Sequence, residues 1–490
     1  MDKIRTGICS FLRIQPASPN TIYISERLDR VSNAVKNRIW YRGDSDELAE
    51  LYKQLDSDKT KFWAAVPTVG MDIRKIHTGI PAMIVDRLTD IVMTDMNEIE
   101  VPPHLKDVWR ETAEENDFGD MLKDAVTETL CIGDGAFKIS FDTHISQYPI
   151  VEFVPGDMVE FEWERGRIRA VKFKTPYVHD SVEYTLEETY GFGFIESVLY
   201  RGNAEVPLNT IPQTAKLAPS VKFGGDFCMA IPLKFFKSAK WQGRGKSVFD
   251  DKCDCFDALD ECWSQWMDAL RKGRTKEYIP ENLLPRNPNT GEILLPNAFD
   301  NAYLSCGANM AEGATPRIDV VQPAIPYESY LGTYITALDL CLQGLISPST
   351  LGIDTKKLDN AEAQREKEKA TLYTRGAIIA ALQKAVPKVI NNLFKAYDTF
   401  YKRPVSDIKV EVPFGEYANP SFESQVETCG KARQFGLMSV ETMVDELHGD
   451  TRTTEWKNEE VARIKAEQGL VSVGDEPSLQ GELGGLIGGV

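Results

Sequence analysis

Three cysteines stand close together at Cys253, Cys255 and Cys262, and clustered thiolates can hold zinc. On a helix Cys255 and Cys262 share a face and Cys253 does not, and no nearby histidine completes a tetrahedral set, so they read as small buried hydrophobes. Carboxylates pair at Asp250-Asp251 and Asp257-Asp260, the kind of pairing by which nucleases hold two metals. Set among lysines and polar residues, these acids read instead as a solvated helix face. Gly133-Asp134-Gly135 is a tight turn between a helix and a strand, without the Gly-Lys-Ser/Thr context of a phosphate loop. His77, His104, His144, His179 and His448 are scattered and form no His-Glu-x-x-His pattern. The expectation is a chain with no catalytic residue, no cofactor and no metal.

Composition narrows the class further. A chain of 490 residues exceeds the ~250 to 300 at which single cores stop growing, so more than one subregion is expected. Hydrophobic content of 42% and charged content of 27% are those of a chain that folds and buries a sizeable core. Nine cysteines spread over the whole length suit a reducing compartment rather than a disulfide scaffold. The opening "MDKIRTGICSFLRIQPASPN" lacks the apolar core of a signal peptide, and no stretch reaches the roughly 18 apolar residues of a membrane span, so no membrane is expected. A formal charge of −18 argues against a broad basic face that grips nucleic acid. It leaves open a protein that lets nucleic acid pass.

The elements that would position any working residue follow from periodicity. Ile73, Ile76, Ile80, Ile84, Leu88 and Ile91 predict an amphipathic helix with Pro81 as an irregularity near its start, and "FGDMLKDAVTETLCIG" predicts a second ending at Gly133. From Ala136 to about 235 alternating runs predict a mostly antiparallel sheet, with a hairpin turn at Arg165-Gly166. A helix from about Gly243-Arg244-Gly245-Lys246-Ser247 carries an apolar stripe of Val248, Cys255, Leu259, Cys262, Trp266 and Leu270. A Pro- and Gly-rich segment, 279 to 326, separates it from the helix "YESYLGTYITALDLCLQGLI". After the loop "SPSTLGIDTKKL" a very long helix runs from about Asp359 to Lys402, with Gly376 and Pro387 as bends. Its later stripe through Ile379, Leu382, Val386, Leu393, Tyr397 and Phe400 should be buried. "DIKVEVPFGEY" reads as a strand, and two or three helices follow, one of them ended by Gly436.

This order of parts resembles the portal proteins of tailed double-stranded DNA phages, the head-to-tail connectors, over about residue 35 to 469. "FDALDECWSQWMDALRKGR" is similar to that family's first stem helix, and "VDELHGDTRTTEWKNEEVARIKAEQG" to its usual ending. The single motifs are weak and their order is the specific signal.

The resemblance implies an α+β, portal-type fold assembled as a ring. It implies an N-terminal arm (1–39), a wing of mixed helix and antiparallel sheet (40–244), a stem helix (245–272), a small clip (273–326) and a second stem helix (327–346). A channel loop (347–359), a long bent wing helix (360–403), a wing strand (404–419), crown helices (420–469) and a flexible tail (470–490) would follow. Ser349, Thr350, Asp354, Lys356 and Lys357 would face DNA, although the two lysines are balanced by Asp354 and Asp359. Glu362, Arg365, Glu366 and Lys369 mix attraction and repulsion at helical spacing within one chain, so they would find partners on neighbouring subunits. The implied partners are further copies in a dodecameric ring, the double-stranded DNA in the channel, the terminase large subunit, the head-tail adaptor, the major capsid protein and a scaffold. The implied place is the portal vertex of the virion, after assembly in the host cytoplasm. A net-negative channel would let DNA slide, because each phosphate neutralised by a cation strengthens attachment. The alternatives are another virion or minor capsid component, which would form no ring with an open channel, and a metal-dependent nuclease, which needs a constellation not found.

Overall fold

The computed structural model describes residues 26–55, 60–66, 73–273, 276–280, 283–294, 303–306, 319–353, 361–415, 422–448 and 454–467. The chain divides after Gly415 into two units.

In the first unit, helix α1 (Arg30–Arg42) starts at an Asp29 cap whose carboxylate accepts from the Ser32 amide and ends at Gly43 in the left-handed region. It runs across residue 39, where the sequence reading ended an arm, because Trp40 is fully buried. Helices α2 (Ser45–Gln54), α3 (Ile80–Thr94), α4 (Lys106–Glu115) and α5 (Phe118–Ile132) follow. The expected helix from Ile73 begins only at Ile80, with Pro81 in its first turn, where its missing N–H is no loss. The Ile76 and Thr78 amides donate instead to Ser264 Oγ and Asp260 Oδ1.

Strands β1 (Asp134–Ser140), β2 (Ile150–Pro155), β3 (Val159–Glu164), β4 (Arg167–His179), β5 (Val182–Gly191), β6 (Phe194–Arg201), β7 (Ala204–Val206), β8 (Ser220–Lys222) and β9 (Ala230–Lys234) build two antiparallel sheets. One has the order β2-β1-β9; the other runs β3-β4-β5-β6-β7 with β8 on β6. The turn between β3 and β4 is the predicted one, with φ of 49° at Arg165 and 77° at Gly166.

Helix α6 (Cys253–Lys272) begins after a run of turns, ten residues later than Gly243. Its buried face is Cys253, Phe256, Asp257, Leu259, Asp260, Cys262 and Ser264, so Leu270, expected inside, is exposed. The face is rotated because residues 62–63 and 76–78 are bonded onto it. Strands β10 (Lys276–Pro280), β11 (Tyr303–Cys306) and β12 (Asp319–Val321) form a small sheet with β10 central. Helix α7 (Tyr327–Leu342) returns along α6, with Trp266 stacked on Tyr330 at 6.1 Å between ring centres.

Helix α8 (Ala361–Phe400) runs 40 residues without interruption through Gly376 and Pro387, about 60 Å at roughly 1.5 Å per residue. It packs on β9, β1 and α3 through Leu382, Val386, Val389, Ile390 and Leu393, while Phe400 is half exposed and stacks on Phe141. The described part of the predicted strand at 404–419, residues 404–415, forms no strand. It touches residues 95–100 through two isolated bridges, Met96 with Phe414 and Glu100 with Glu411, and Pro413 between them has no N–H to extend a ladder.

The second unit holds α9 (Phe422–Gln434), α10 (Val440–His448) and α11 (Thr454–Glu467). Cys429, Val440 and Val444 are buried in it, and Gly436 at φ 72° follows α9 as expected.

Candidate functional site: the loop anchor on the long helix

After α7 the chain turns at Gly344, φ 78°, and enters Ser347-Pro348-Ser349-Thr350. Hydroxyl side chains at this density satisfy backbone groups locally rather than extend a helix. The Ser347 amide donates to Thr371 Oγ1 at 2.9 Å, and Thr371 is fully buried on α8. Ser347 Oγ lies 2.9 Å from Ser349 Oγ and 2.7 Å from Thr350 Oγ1, and Thr350 Oγ1 lies 3.3 Å from Thr371 Oγ1. The short 3-10 turn Ser349–Leu351 that results buries Leu351 against α3 and α8 and stops at Gly352, φ 72°. One turn further along α8, Arg375 Nε donates to Asp95 Oδ2 at 2.7 Å and its Nη2 to the Gly415 carbonyl at 2.6 Å. The loop's first half is therefore tied to the long helix ten residues past the helix start.

Of the residues expected to face DNA, Ser349 is exposed and Thr350 half-buried, both inside this hydroxyl cluster. Asp354, Lys356 and Lys357 lie outside the described residues. Glu362, Arg365 and Glu366 lie on the helical backbone of α8, and their side chains lie outside the described ones. Lys369 is exposed. Thr371, Arg375 and Asp95, which make the anchor, were not singled out as its parts. The signal available was the hydroxyl run at 347–350 together with a second hydroxyl, Thr371, on the helix that follows.

Of the four paired acids only Asp251 lies on a solvated face, exposed and paired with Lys246. Asp257 accepts from the Phe62 and Trp63 amides at 3.0 and 3.1 Å, and burial pushes its carboxyl above the usual range against those two bonds. Asp260, with no exposed surface, takes Trp63 Nε1 at 3.2 Å, His77 Nδ1 at 2.7 Å, the Thr78 amide at 2.9 Å and Thr78 Oγ1 at 2.8 Å. Ser264 Oγ accepts from the Ile76 amide at 2.9 Å, so residues 62–63 and 76–78 are strapped along α6. Asp250 accepts from Asn33 and Asn37 Nδ2 at 2.8 and 3.1 Å. The carboxylates of Asp250, Asp257 and Asp260 are consumed by structure. Among the described residues no group of three or more His, Cys, Asp or Glu could hold a metal ion.

The Gly-Asp-Gly turn is likewise structural. Asp134 Oδ1 takes Arg244 Nη2 at 2.6 Å and Oδ2 takes the Gly245 amide at 2.7 Å. Arg244 also donates to the carbonyls of Gly156 at 2.7 Å and Val159 at 3.0 Å, and burial lowers its pKa to about 10. The backbones meet so closely that a β-carbon on Gly245 would stand 1.9 Å from the Gly133 oxygen, and one on Gly156 2.1 Å from Asp134 Oδ1. There is no room for a phosphate.

No protein-family model matches the chain, and no curated protein matches it either. Among solved structures it is similar to a chain of "Virion of native gene transfer agent (GTA) particle", at 11% identity and a TM-score of 0.40, over 93% of this chain and 98% of that one. It is also similar to a chain of "Neck of native GTA particle computed with C12 symmetry", at 11% identity and 0.39, over 79% and 90%. Among the described residues no helix is long and apolar enough to cross a membrane.

Proposed function

We propose that this chain is a structural subunit of a phage-type virion, a portal-type protein that closes into a ring at one capsid vertex and lets double-stranded DNA through. The observation that carries the reading is a sequence of parts: two paired helices, α6 and α7, with a small sheet between them, then a loop pinned at its root, then a 40-residue helix running back through an α+β body. A pinned loop root on a long helix is what a channel constriction needs, because each copy must present its loop at the same height. The net charge of −18 agrees with passage rather than grip.

In this reading the segment from Ser347 stands at the channel, and Glu362, Arg365, Glu366 and Lys369 face a neighbouring subunit. The β10–β12 end meets the terminase during packaging and the head-tail adaptor later, and the body meets the capsid protein and scaffold. The ring is dodecameric, and no step of catalysis belongs to it. Negative-stain images of the purified full chain test the reading: closed rings with a central hole are expected, and particles that never close around a hole would overturn it. Cleavage of plasmid DNA with magnesium or manganese by the purified chain would favour a nuclease instead.

A further inference from the structure

A groove of about 800 Å³ is lined by the β3–β4 hairpin, β9 and α8. Its floor is aliphatic, with Ile231, Leu233 and Ala385 buried. Its walls present Trp163 and Phe192 half exposed. Its rim carries Arg167, Lys234, Lys384, Lys388 and Lys395, against Asp226 as the one carboxylate among the lining residues. Lys395 is paired with Asp407 at 2.6 Å, and Lys234 Nζ donates to the Gly243 carbonyl and sits 5.3 Å over the Trp163 ring. Lys384 and Lys388, one turn apart on α8, are exposed and form no ion pair among the described residues. Burial and, after it, the nearby cations Arg244, Lys237 and Lys384 hold the Lys234 amine below its usual range, while Asp134 opposes them.

Such a concentration of positive charge is out of character for a chain with 74 acidic and 56 basic residues. Two copies carrying −18 each repel at long range, so contact between them needs places where local charge is reversed. The groove is such a place, and its apolar floor and two aromatic walls supply the desolvated surface on which protein contacts depend. A phosphate backbone would use the amines and leave the aliphatic floor uncovered.

We propose that this groove receives an acidic segment of a second copy of the same chain, with the Lys384 and Lys388 amines meeting its carboxylates and Trp163 and Phe192 closing over its apolar atoms. The contact is heterologous, groove to acidic face, which is the kind that closes rings. It rests on the reading that the protein self-assembles.

The test compares the wild-type full chain with Lys384→Glu/Lys388→Glu by sedimentation velocity over a concentration series, with thermal melting as a fold control. The wild type is expected to sediment as an assembly. The variant should stay monomeric to concentrations at least about tenfold higher, because carboxylate would then face carboxylate. Lys384→Gln/Lys388→Gln removes the charge without reversing it and should shift assembly in the same direction by less, which keeps the test open if the reversed variant does not fold. Assembly of both variants at wild-type concentrations overturns the groove contact and leaves the ring reading standing. So does normal assembly with lost binding of a labelled oligonucleotide, which would assign the groove to nucleic acid. A wild type that stays monomeric at every concentration overturns both.

Discussion

At Asp260 four donors from residues 63–78 meet one carboxylate with no exposed surface. Asp260→Ala would leave those donors buried and unpaired, and a loss of about 3–5 kcal/mol is expected. A fall in denaturant midpoint reads it, and a wild-type midpoint would mean that the strap is held by its apolar contacts alone. Asp257 allows a pH prediction with a definite sign. Its folded pKa is raised by burial above the 3.8 of a free aspartate, so between those two values the folded state holds more protons than the unfolded one. From this group stability falls as pH rises through that window. Asp257→Asn should remove that component, so the variant-minus-wild-type stability should rise with pH there, and a flat difference would refute it. The helix carrying both acids was legible from its period, but their burial was not. Period tells which residues share a face, not which face is covered, and the cover here is an irregular segment nearly 200 residues earlier in the chain.

Among the elements, α8 was legible over its whole length because charged and apolar positions keep helical spacing from Ala361 to Phe400. Gly376 lies on it exposed, with nothing within 4 Å of where a β-carbon would go. Gly376→Ala should therefore stabilise the first unit by about 0.5–1 kcal/mol, and a loss of stability would show that the position needs its missing side chain. Thr371→Val keeps the shape and removes the acceptor of the Ser347 amide. It should cost about 1 kcal/mol and speed hydrogen exchange at Ser347 while leaving residues deep in α8 unchanged. Exchange at Ser347 as slow as in wild type would place the anchor elsewhere. The segment at 404–415 was misread as a strand because alternation is a property of one chain segment, whereas a ladder also needs a partner without interruptions. Pro413 and the short run at 95–100 leave only two bridges.

Over the whole molecule, the large hydrophobic core runs from Ala34 to Val412, entirely within the first unit. A chain ending at Gly415 is expected to keep the wild-type denaturant midpoint, and a large drop would show that the second unit completes that core. The order of parts could be read along the sequence, since each part has its own period. Locks such as Asp134 with Arg244 could not, since they join residues 110 positions apart. The seam those two residues close has a consequence in descent. A β-carbon at position 245 or 156 would run into Gly133 or Asp134, so lineages can exchange the surrounding charges and apolar volumes but not those two glycines. In homologous chains diverged past recognition elsewhere, both columns are expected to hold glycine, flanking an acid and an arginine that change only together.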